Sequence, residues 1–327
     1  MEPIHALLNA VDGIVWGPLT IVLLVGTGLY LTARVRFLQF TKFRLATRIV
    51  SGEFDNPDDT GEITHFQALA AALSATIGTG NIAGVATAIA SGGPGAVFWM
   101  WVTALVGMVT KYAECTLSLK YREVNSEGAV SGGPMYTIQN GMGPRWKWMG
   151  TLFAVFAAIA AFGIGNMVQS NSVADAAAGF AANSVGVRDE RVLFGIKVFM
   201  GLALSTVTGL VIIGGIRRIA QVAARLVPAM CVFYVVGGLA VVILHLDALP
   251  EAVALIFRGA FTPTAAAGGF AGAMVMQTIR YGVARGVFSN EAGLGSAPMA
   301  HAAAKTEEPV REGLVAMMGP FIDTIVV

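Results

Sequence analysis

Residues 68–90 read ALAAALSATIGTGNIAGVATAIA, an apolar stretch long enough to cross a membrane. Its middle is interrupted by Gly78-Thr79-Gly80-Asn81. An ordinary spanning helix avoids such a segment, because each glycine costs about 1 kcal/mol relative to alanine in a helix interior. A helix broken at bilayer depth is tolerated only where its freed backbone groups face protein or a water-filled cavity. The stretch therefore predicts a broken span with free N–H and C=O groups at its centre.

Close packing of two helices is the alternative interpretation of these glycines. Small residues at multiples of four positions let helix backbones approach, and Ala72, Gly80 and Gly84 could serve that purpose. Free amides and carbonyls at bilayer depth are also what secondary transporters use to hold an anionic substrate and a coupling cation. We therefore expect a substrate site here, with helix packing as the competing hypothesis.

The composition is that of a protein with many membrane-spanning helices. Of the 327 residues, 55% are hydrophobic and 13% are charged, and the mean hydropathy is +0.70. Soluble domains carry roughly 25% charged residues. The net charge of +1 argues against nucleic acid as a partner. Cys115 and Cys231 lie in apolar runs without metal-ligand spacing, so we expect small core residues there and no cofactor.

Apolar runs of about 20 residues predict seven spans and the start of an eighth. The runs cover residues 14–33, 66–90, 96–119, 148–170, 192–215, 223–246 and 265–304, and the last is 314–327. Residues 251–261 are too few to span and are expected at the membrane interface. The seventh span is interrupted by glycines, namely Gly268, Gly269, Gly272, Gly282, Gly286, Gly293 and Gly295. Because the eighth run has no charged flank after it, we expect a chain truncated after about seven and a half helices.

The basic residues predict the orientation of the spans. Loops 34–65, 120–147, 216–225 and 301–313 lie on one side and hold 14 Lys and Arg residues, whereas the other side holds 4. Basic loops of membrane proteins stay in the cytoplasm. We therefore expect the N-terminus outside the cell and the loop before the broken second span inside it.

The second and seventh spans are five helices apart and both are rich in glycine. Interrupted spans at corresponding positions of two halves are typical of transporters built from inverted repeats. This spacing predicts a single transmembrane domain over residues 1–327. It would contain an extra helix at 14–33, a first repeat over 66–246 and the start of a second repeat over 265–327.

Backbone amides at the break are the candidate anion ligands. Gly78, Thr79 and Gly80 would begin the outer half-helix, and the positive end of a helix dipole favours a carboxylate.

Oxygen atoms on the other side of the break are the candidate cation ligands. Carbonyls near Ser74, Thr76 and Ile77, with the Asn81 amide oxygen, suit a small hard cation. A packing hydrogen bond is the alternative role of Asn81. No acidic residue lies in the middle of this span, which favours Na⁺ held by neutral oxygens over a side-chain proton relay.

Intramembrane charges elsewhere have two interpretations. Glu114 and Glu291 could carry protons, or they could form structural ion pairs with Lys111 and Arg285, since charges inside a membrane usually pair.

Three side chains outside the second span are weaker candidates. Gln169 could reach a polar substrate group or cap the outer end of the fourth span. Phe270 and Met274, one helical turn apart, could form the apolar wall of a pocket or belong to the core.

An enzyme is not expected. The histidines lie at span ends and are not expected to come together; they are His5, His65, His245 and His301. The sequence contains no HExxH, and Gly78-Thr79-Gly80 lacks the third glycine of a dinucleotide-binding loop.

Four motifs resemble the alanine or glycine:cation symporter family. They are TIGTGNIAGVATAI (76–89), GGPGAVFWMW (92–101), GGPMY (132–136) and GVFSNEAGLGS (286–296). The resemblance covers nearly the whole chain. It implies an all-α, leucine-transporter-type inverted-repeat fold with one extra N-terminal helix, eleven helices in all. It also implies Na⁺-coupled uptake of alanine or glycine, D-alanine in some members, by alternating access across the inner membrane.

The resemblance also implies roles for residues of the second span. The Thr79 and Gly80 amides would hold the substrate carboxylate. Asn81 and the Thr76 carbonyl would belong to one Na⁺ site. A second Na⁺ site would include the carbonyls of Ser74 and Ile77.

Three further roles follow from the same resemblance. Phe270 resembles the aromatic of the substrate pocket, Met274 lies beside it, and Gln169 fits the polar contact from the fourth span. Helices eight to eleven are missing from the pattern, so this fragment alone is not expected to transport. A same-fold transporter of another solute, or one coupled to H⁺, remains an alternative, as does a non-transporting membrane sensor or scaffold.

Overall fold

The structure is a computed structural model that describes residues 6–7, 11, 13–262 and 271–327, without the side chains of residues 164 and 271–274. The α-helices are, in chain order, α1 (Pro18–Arg34), α2 (Leu38–Thr41), α3 (Phe43–Val50), α4 (His65–Thr76), α5 (Val85–Gly92), α6 (Gly95–Lys120), α7 (Pro134–Tyr136), α8 (Lys147–Ala160), α9 (Val168–Asn183), α10 (Glu190–Ile212), α11 (Gly215–Leu244), α12 (Leu249–Phe261), α13 (Ala271–Asn290), α14 (Ala297–His301) and α15 (Pro309–Pro320). Wider π-helical turns occupy Gly80–Gly84, Thr137–Gly141, Ala161–Met167 and Phe321–Val326, and a 3-10 turn occupies Pro144–Trp146. Two short strands, β1 (Glu123–Val124) and β2 (Val130–Ser131), pair antiparallel.

Several helices have the length and apolarity of membrane spans. Within the described residues five helical segments qualify: Gly13–Arg34, Gly95–Lys120, Pro144–Asn183, Glu190–Ile212 and Gly215–Leu244. A sixth span results when the bent pair His65–Thr76 and Gly80–Gly92 counts as one. These segments match the first six predicted spans, and the chain is a polytopic membrane protein.

The second span is broken, as predicted, and the chain bends by 51° between its two helical halves. Its first half, α4, begins at a capping box in which Thr64 and Gln67 each satisfy the other's backbone N–H. α4 ends because Ile77 adopts an extended backbone with φ −79° and ψ 105°. The chain resumes in the π-helical turn Gly80–Gly84 before α5.

The interruption of the seventh span lies nearer its C-terminal end than the spread of its glycines indicated. α13 runs unbroken through Gly282 and Gly286. A Cβ at Gly282 would lie 2.6 Å from the Ala96 carbonyl oxygen, so these two glycines let α13 approach α6 closely. The helix ends after Asn290. Gly268 and Gly269 lie outside the described residues.

The break that follows α13 uses left-handed backbone conformations. Glu291 has φ 52°, Gly293 φ 89° and Gly295 φ 78°, a region that glycine enters without steric cost. The turn sends the chain into α14, so a second break is present at residues 291–296.

The core forms around α6, which packs against α1, α12, α13 and α15. α15 is buried along its length from Glu312 to Pro320. At Gly313 a Cβ would lie 2.0 Å from Thr116 Oγ1, so only glycine permits this approach. By contrast, α10 has no buried residue and presents an apolar surface, as a helix bordered by lipid or by further helices requires.

Candidate binding site

The backbone amides at the break of the second span are turned towards polar side chains. The Gly78 N–H donates to Asn81 Oδ1 at 2.9 Å, and the Thr79 N–H donates to Gln169 Oε1 at 3.4 Å. A Cβ at Gly78 would lie 3.1 Å from the same Gln169 oxygen. Gln169, from α9, therefore lies directly at the break, next to two of the predicted anion ligands.

One carbonyl oxygen on the α4 side of the break, that of Ser74, loses its helical partner. In a continuous helix the Gly78 N–H would bond to the Ser74 carbonyl, but it is turned to Asn81 instead. The hydroxyls of Ser74 and Thr76 donate backwards, to the carbonyls of Ala71 and Leu73. The Ser74 and Thr76 hydroxyls are thus engaged within α4.

Asn81 joins the second span to two later segments. Its side chain is 6% exposed. Besides accepting from Gly78, it donates from Nδ2 to Asp323 Oδ1 and to the Asp323 carbonyl, each at 2.9 Å. Ser289 Oγ lies 3.4 Å from the same nitrogen. Asn81 therefore does form hydrogen bonds between helices, as the alternative interpretation expected. Its main partner in these bonds is the Asp323 residue, including the side-chain carboxylate.

Asp323 is a buried carboxylate that the sequence reasoning missed. It is 1% exposed and lies in the π-helical turn after α15. Its Oδ2 accepts from Ser289 Oγ at 2.9 Å and from Thr324 Oγ1 at 2.8 Å. The signal was present in the sequence, because an acidic residue inside an apolar run marks a functional site by default.

A cavity of about 200 Å³ adjoins this cluster, enough for several water-sized molecules. Its polar wall is formed by Asn81, Ser289, Asp323 and Thr324. The remaining lining is mostly apolar and aromatic and comprises Val85, Val97, Met100, Trp101, Tyr234, Ile325 and Val327. A small space with one polar wall and one apolar wall is the usual form of a site for a small amphipathic molecule.

Two predicted pocket residues cannot be located. Phe270 lies outside the described residues. Met274 belongs to α13, but its side chain is not among the described groups. Their roles stay predictions.

Gly80 lies close to Ser289, since a Cβ on Gly80 would be 3.7 Å from the Ser289 Cα.

The intramembrane charges do not form the expected ion pairs. Within the described residues Lys111 is 2% exposed and its Nζ has no hydrogen-bond partner. The Glu291 carboxylate accepts a hydrogen bond from Ser296, and the Arg285 guanidinium lies 5.7 Å from the Phe288 ring. Among the described residues no hydrogen-bonded pair joins Lys111 to Glu114 or Arg285 to Glu291, so the ion-pair interpretation of these charges finds no support. The Glu114 carboxylate accepts from the Gly293 N–H instead.

Two histidines come together, contrary to expectation. His65 Nδ1 pairs with Glu312 Oε2, and His301 Nδ1 lies 2.5 Å from Glu312 Oε1. All three side chains are at most 1% exposed. Spacing along the chain could not show this contact, because the fold brings together the start of α4, the end of α14 and the first turn of α15. We call these three residues the His–Glu–His triad.

Comparisons with known proteins agree with this architecture. The family model described as the sodium:alanine symporter family matches residues 1–327. The chain is 49% identical over 324 residues to the sodium/alanine symporter AgcS of Methanococcus maripaludis, covering 98% of this chain and 68% of the relative.

Two other relatives have names that state either no substrate or a different one. An uncharacterized transporter of Haemophilus influenzae is 47% identical over 327 residues, covering 99% of this chain and 68% of that protein. The probable sodium/glutamine symporter GlnT of Bacillus subtilis is 39% identical over 321 residues, covering 98% of this chain and 63% of that protein. The chain spans about two thirds of the length of these relatives.

Proposed function

The chain belongs to the sodium:alanine symporter family, and we propose that it forms part of a secondary transporter that couples Na⁺ to uptake of alanine or glycine. Transport proceeds by alternating access in a leucine-transporter-type fold. The extra helix is 14–33, the first repeat is 66–246 and the second repeat begins at 265–327. The N-terminus lies outside and the protein resides in the cell's inner membrane, surrounded by lipid.

The observation that carries this proposal is the meeting of the two breaks. Asn81, four residues after the second span leaves its helix, contacts Ser289, two residues before the seventh span leaves its own. Broken helices that meet near the membrane midplane are what inverted-repeat transporters use to bind substrate and ion.

The substrate carboxylate binds at the start of the outer half-helix. The Thr79 and Gly80 amides hold it, at the positive end of the helix, and Gln169 orients the substrate from α9. In the ligand-free arrangement Gln169 accepts from the Thr79 N–H, so a substrate carboxylate takes over that donor. Phe270 and Met274 supply the apolar wall.

The coupling ion binds on the inner side of the break. Asn81 Oδ1 and the Thr76 carbonyl form one site, and the carbonyls of Ser74 and Ile77 belong to a second. We add Asp323 to the first site, because its carboxylate lies one hydrogen bond from Asn81. Hard oxygen ligands with one fixed negative charge suit a small cation.

Coupling follows from charge balance at this place. Alanine and glycine carry one ammonium and one carboxylate, so the substrate together with the Asp323 carboxylate leaves one negative charge to be compensated, and burying unpaired charge is costly. The ion lowers the free energy needed to bury the substrate, and the substrate completes the ion's coordination shell. Each therefore raises the affinity of the other, as thermodynamic linkage requires.

Na⁺-dependent uptake by the whole protein in proteoliposomes tests this function. Alanine and glycine uptake driven by a Na⁺ gradient is expected, and equal uptake in Na⁺-free buffer would refute Na⁺ coupling. The GlnT name keeps a larger amide substrate as the second candidate; competition of alanine uptake by glutamine separates the two. Absence of Na⁺-dependent alanine binding would favour a sensor or scaffold.

A further inference from the structure

Arg285, on α13, places a positive charge beside the first break. A guanidinium is a permanent cation in proteins, and charges within a membrane span usually have a partner. Within the described residues Arg285 forms no ion pair. Its Cζ lies 5.7 Å from the centroid of the Phe288 ring, and Glu291, the partner expected from the sequence, accepts from Ser296 instead. The surroundings of this cation therefore have room for an anion.

Two contacts place the guanidinium about one helical turn from the proposed carboxylate ligands. A Cβ at Gly84, in the π-helical turn after the break, would lie 4.0 Å from Arg285 Nη1. A Cβ at Gly80 would lie 4.0 Å from Phe288 Cδ1. Gly80 and Gly84 are four residues apart, which is about 6 Å along a helix. The Phe288 ring thus contacts both the Gly80 position and the guanidinium.

A cavity of about 280 Å³ adjoins the guanidinium. Among the described residues its lining contains two arginines, three aromatic rings and no acidic side chain; the lining residues are Trp16, Arg280, Tyr281, Ala284, Arg285 and Phe288. It shares no lining residue with the cavity of about 200 Å³ beside Asn81. The two cavities are therefore separate spaces on neighbouring turns.

The lining of the larger cavity fits a small zwitterionic amino acid. A carboxylate matches the planar donors of Arg285, which can hold both of its oxygens. An ammonium group matches the faces of Trp16 and Tyr281, since aromatic rings attract cations. An inorganic anion would use the guanidinium alone, whereas an amino acid has a partner for each of its two charges.

We propose that the cavity at Arg285 is a second amino-acid site, which the substrate occupies on its way to the Thr79 and Gly80 amides. The inference rests on the proposed function, because it needs those amides to be the final carboxylate ligands. In the second site the substrate carboxylate lies on the Arg285 guanidinium. It then moves about one helical turn to the break, and Arg285 is left for the next molecule.

Such a site changes rates without changing the final affinity. A cation that attracts the carboxylate during the passage lowers the barrier for entry and for exit alike. Its removal therefore slows both steps by the same factor, and their ratio, the dissociation constant of the final site, stays the same. Loss of one hydrogen-bonded contact to a charged group should slow each step by about tenfold.

Stopped-flow alanine binding by the whole protein in nanodiscs, at saturating Na⁺, tests the second site. In Arg285→Gln, association and dissociation of alanine should each slow by about tenfold. The dissociation constant from equilibrium titration should stay the same, which also shows that the variant is folded. Arg285→Lys keeps a charge but loses the bidentate geometry, so its rates should lie between those of Arg285→Gln and the unaltered protein.

Arg258→Gln is the matched control, because it removes an equal charge from an exposed position of α12 outside the cavity lining. Its rates should equal those of the unaltered protein. Unchanged rates in Arg285→Gln would overturn the second site, and so would a weaker affinity with unchanged association, which would make Arg285 part of the final site. Absence of alanine binding by the unaltered protein would instead refute the proposed function, and the second site with it.

Discussion

The two breaks lie side by side but differ in what surrounds them. At the first, residues 77–80, the freed amides of Gly78 and Thr79 are taken by Asn81 and Gln169 side chains. At the second, residues 291–296, the Ala292 N–H donates to Asn290 Oδ1 and the Gly293 N–H donates to the Glu114 carboxylate. The glycines there also pack against apolar groups: a Cβ at Gly293 would lie 2.7 Å from Leu24, and one at Gly295 2.6 Å from Pro134.

This difference separates two uses of an interrupted helix. Side chains take freed amides at both breaks, but at the first the partner Asn81 lines the cavity of about 200 Å³, so a ligand can reach it and replace it. The second break fixes the direction of the chain, since its left-handed residues are enclosed by packed neighbours. Under the proposed function the first break is the binding element, and the second is a rigid corner that positions Ser289 on one side and His301 on the other. Each prediction below tests one side of this distinction.

The largest effect is expected from Asn81→Ala in the first break. The substitution leaves the Gly78 N–H without its acceptor and Asp323 Oδ1 without its donor, and each lost partner costs about 1–3 kcal/mol. Na⁺-dependent alanine binding should weaken by a factor of about 1,000, corresponding to about 4 kcal/mol. Isothermal titration of the whole protein measures it. Asn140→Ala, which removes an exposed loop amide, should leave affinity unchanged.

Asp323→Asn tests whether the fixed charge belongs to the first break. Loss of one partner of a buried charged site costs about 3 kcal/mol, so the apparent Na⁺ affinity should fall by about 100-fold. Glu291→Gln is the control from the second break, where the carboxylate contacts Ser296; there the change should stay within about threefold. Equal losses of Na⁺ affinity in both variants would erase the distinction between the breaks.

The sequence predicts backbone features better than side-chain meetings. The broken second span and the first six spans were predicted correctly, because apolar length and glycine placement are local properties. Asp323 carried a local signal as an acid inside an apolar run, but its contacts could not be predicted, because its partners, Asn81 and Ser289, are 242 and 34 residues away.

The second break shows the same limit in another form. Glycine content alone could not separate Gly282, which serves close packing, from Gly295, which turns the chain. The contact of His65 with His301 through Glu312 likewise depends on the three-dimensional arrangement of three helix ends. Phe270 and Met274 remain predictions.

Gly295→Ala tests the rigidity of the second break. The backbone has φ 78° there, and the added Cβ would also meet Pro134 at 2.6 Å and Phe153 at 2.8 Å. A Cβ in the left-handed region costs about 1 kcal/mol, and overpacking adds about 1–3 kcal/mol. The melting temperature in detergent should fall clearly, with Na⁺ affinity of the folded fraction unchanged.

Gly128→Ala provides the matched control for that substitution. Gly128 has the same φ of 78° but nothing within 4 Å of the added Cβ, so its variant isolates the backbone cost. It should lower the melting temperature less than Gly295→Ala. Equal shifts would mean that the corner is not held by packing.

The smallest effect is expected from Gln169→Ala, at the edge of the first break. Under the proposed function Gln169 orients the substrate, and loss of that one hydrogen bond should cost about 1 kcal/mol and weaken alanine affinity by about fivefold. The long bond of Gln169 to the Thr79 N–H, 3.4 Å, does not add to this loss, because the substrate carboxylate replaces it. Na⁺ affinity measured without substrate should be unchanged, because Gln169 contacts the amide side of the break and not the carbonyl side. A parallel loss of substrate-free Na⁺ affinity would show that the two sides do not act as separate ligand sets. Gln169, Asn81 and Asp323 would then act as one coupled network of polar side chains, and the binding element would extend from α9 to Asp323.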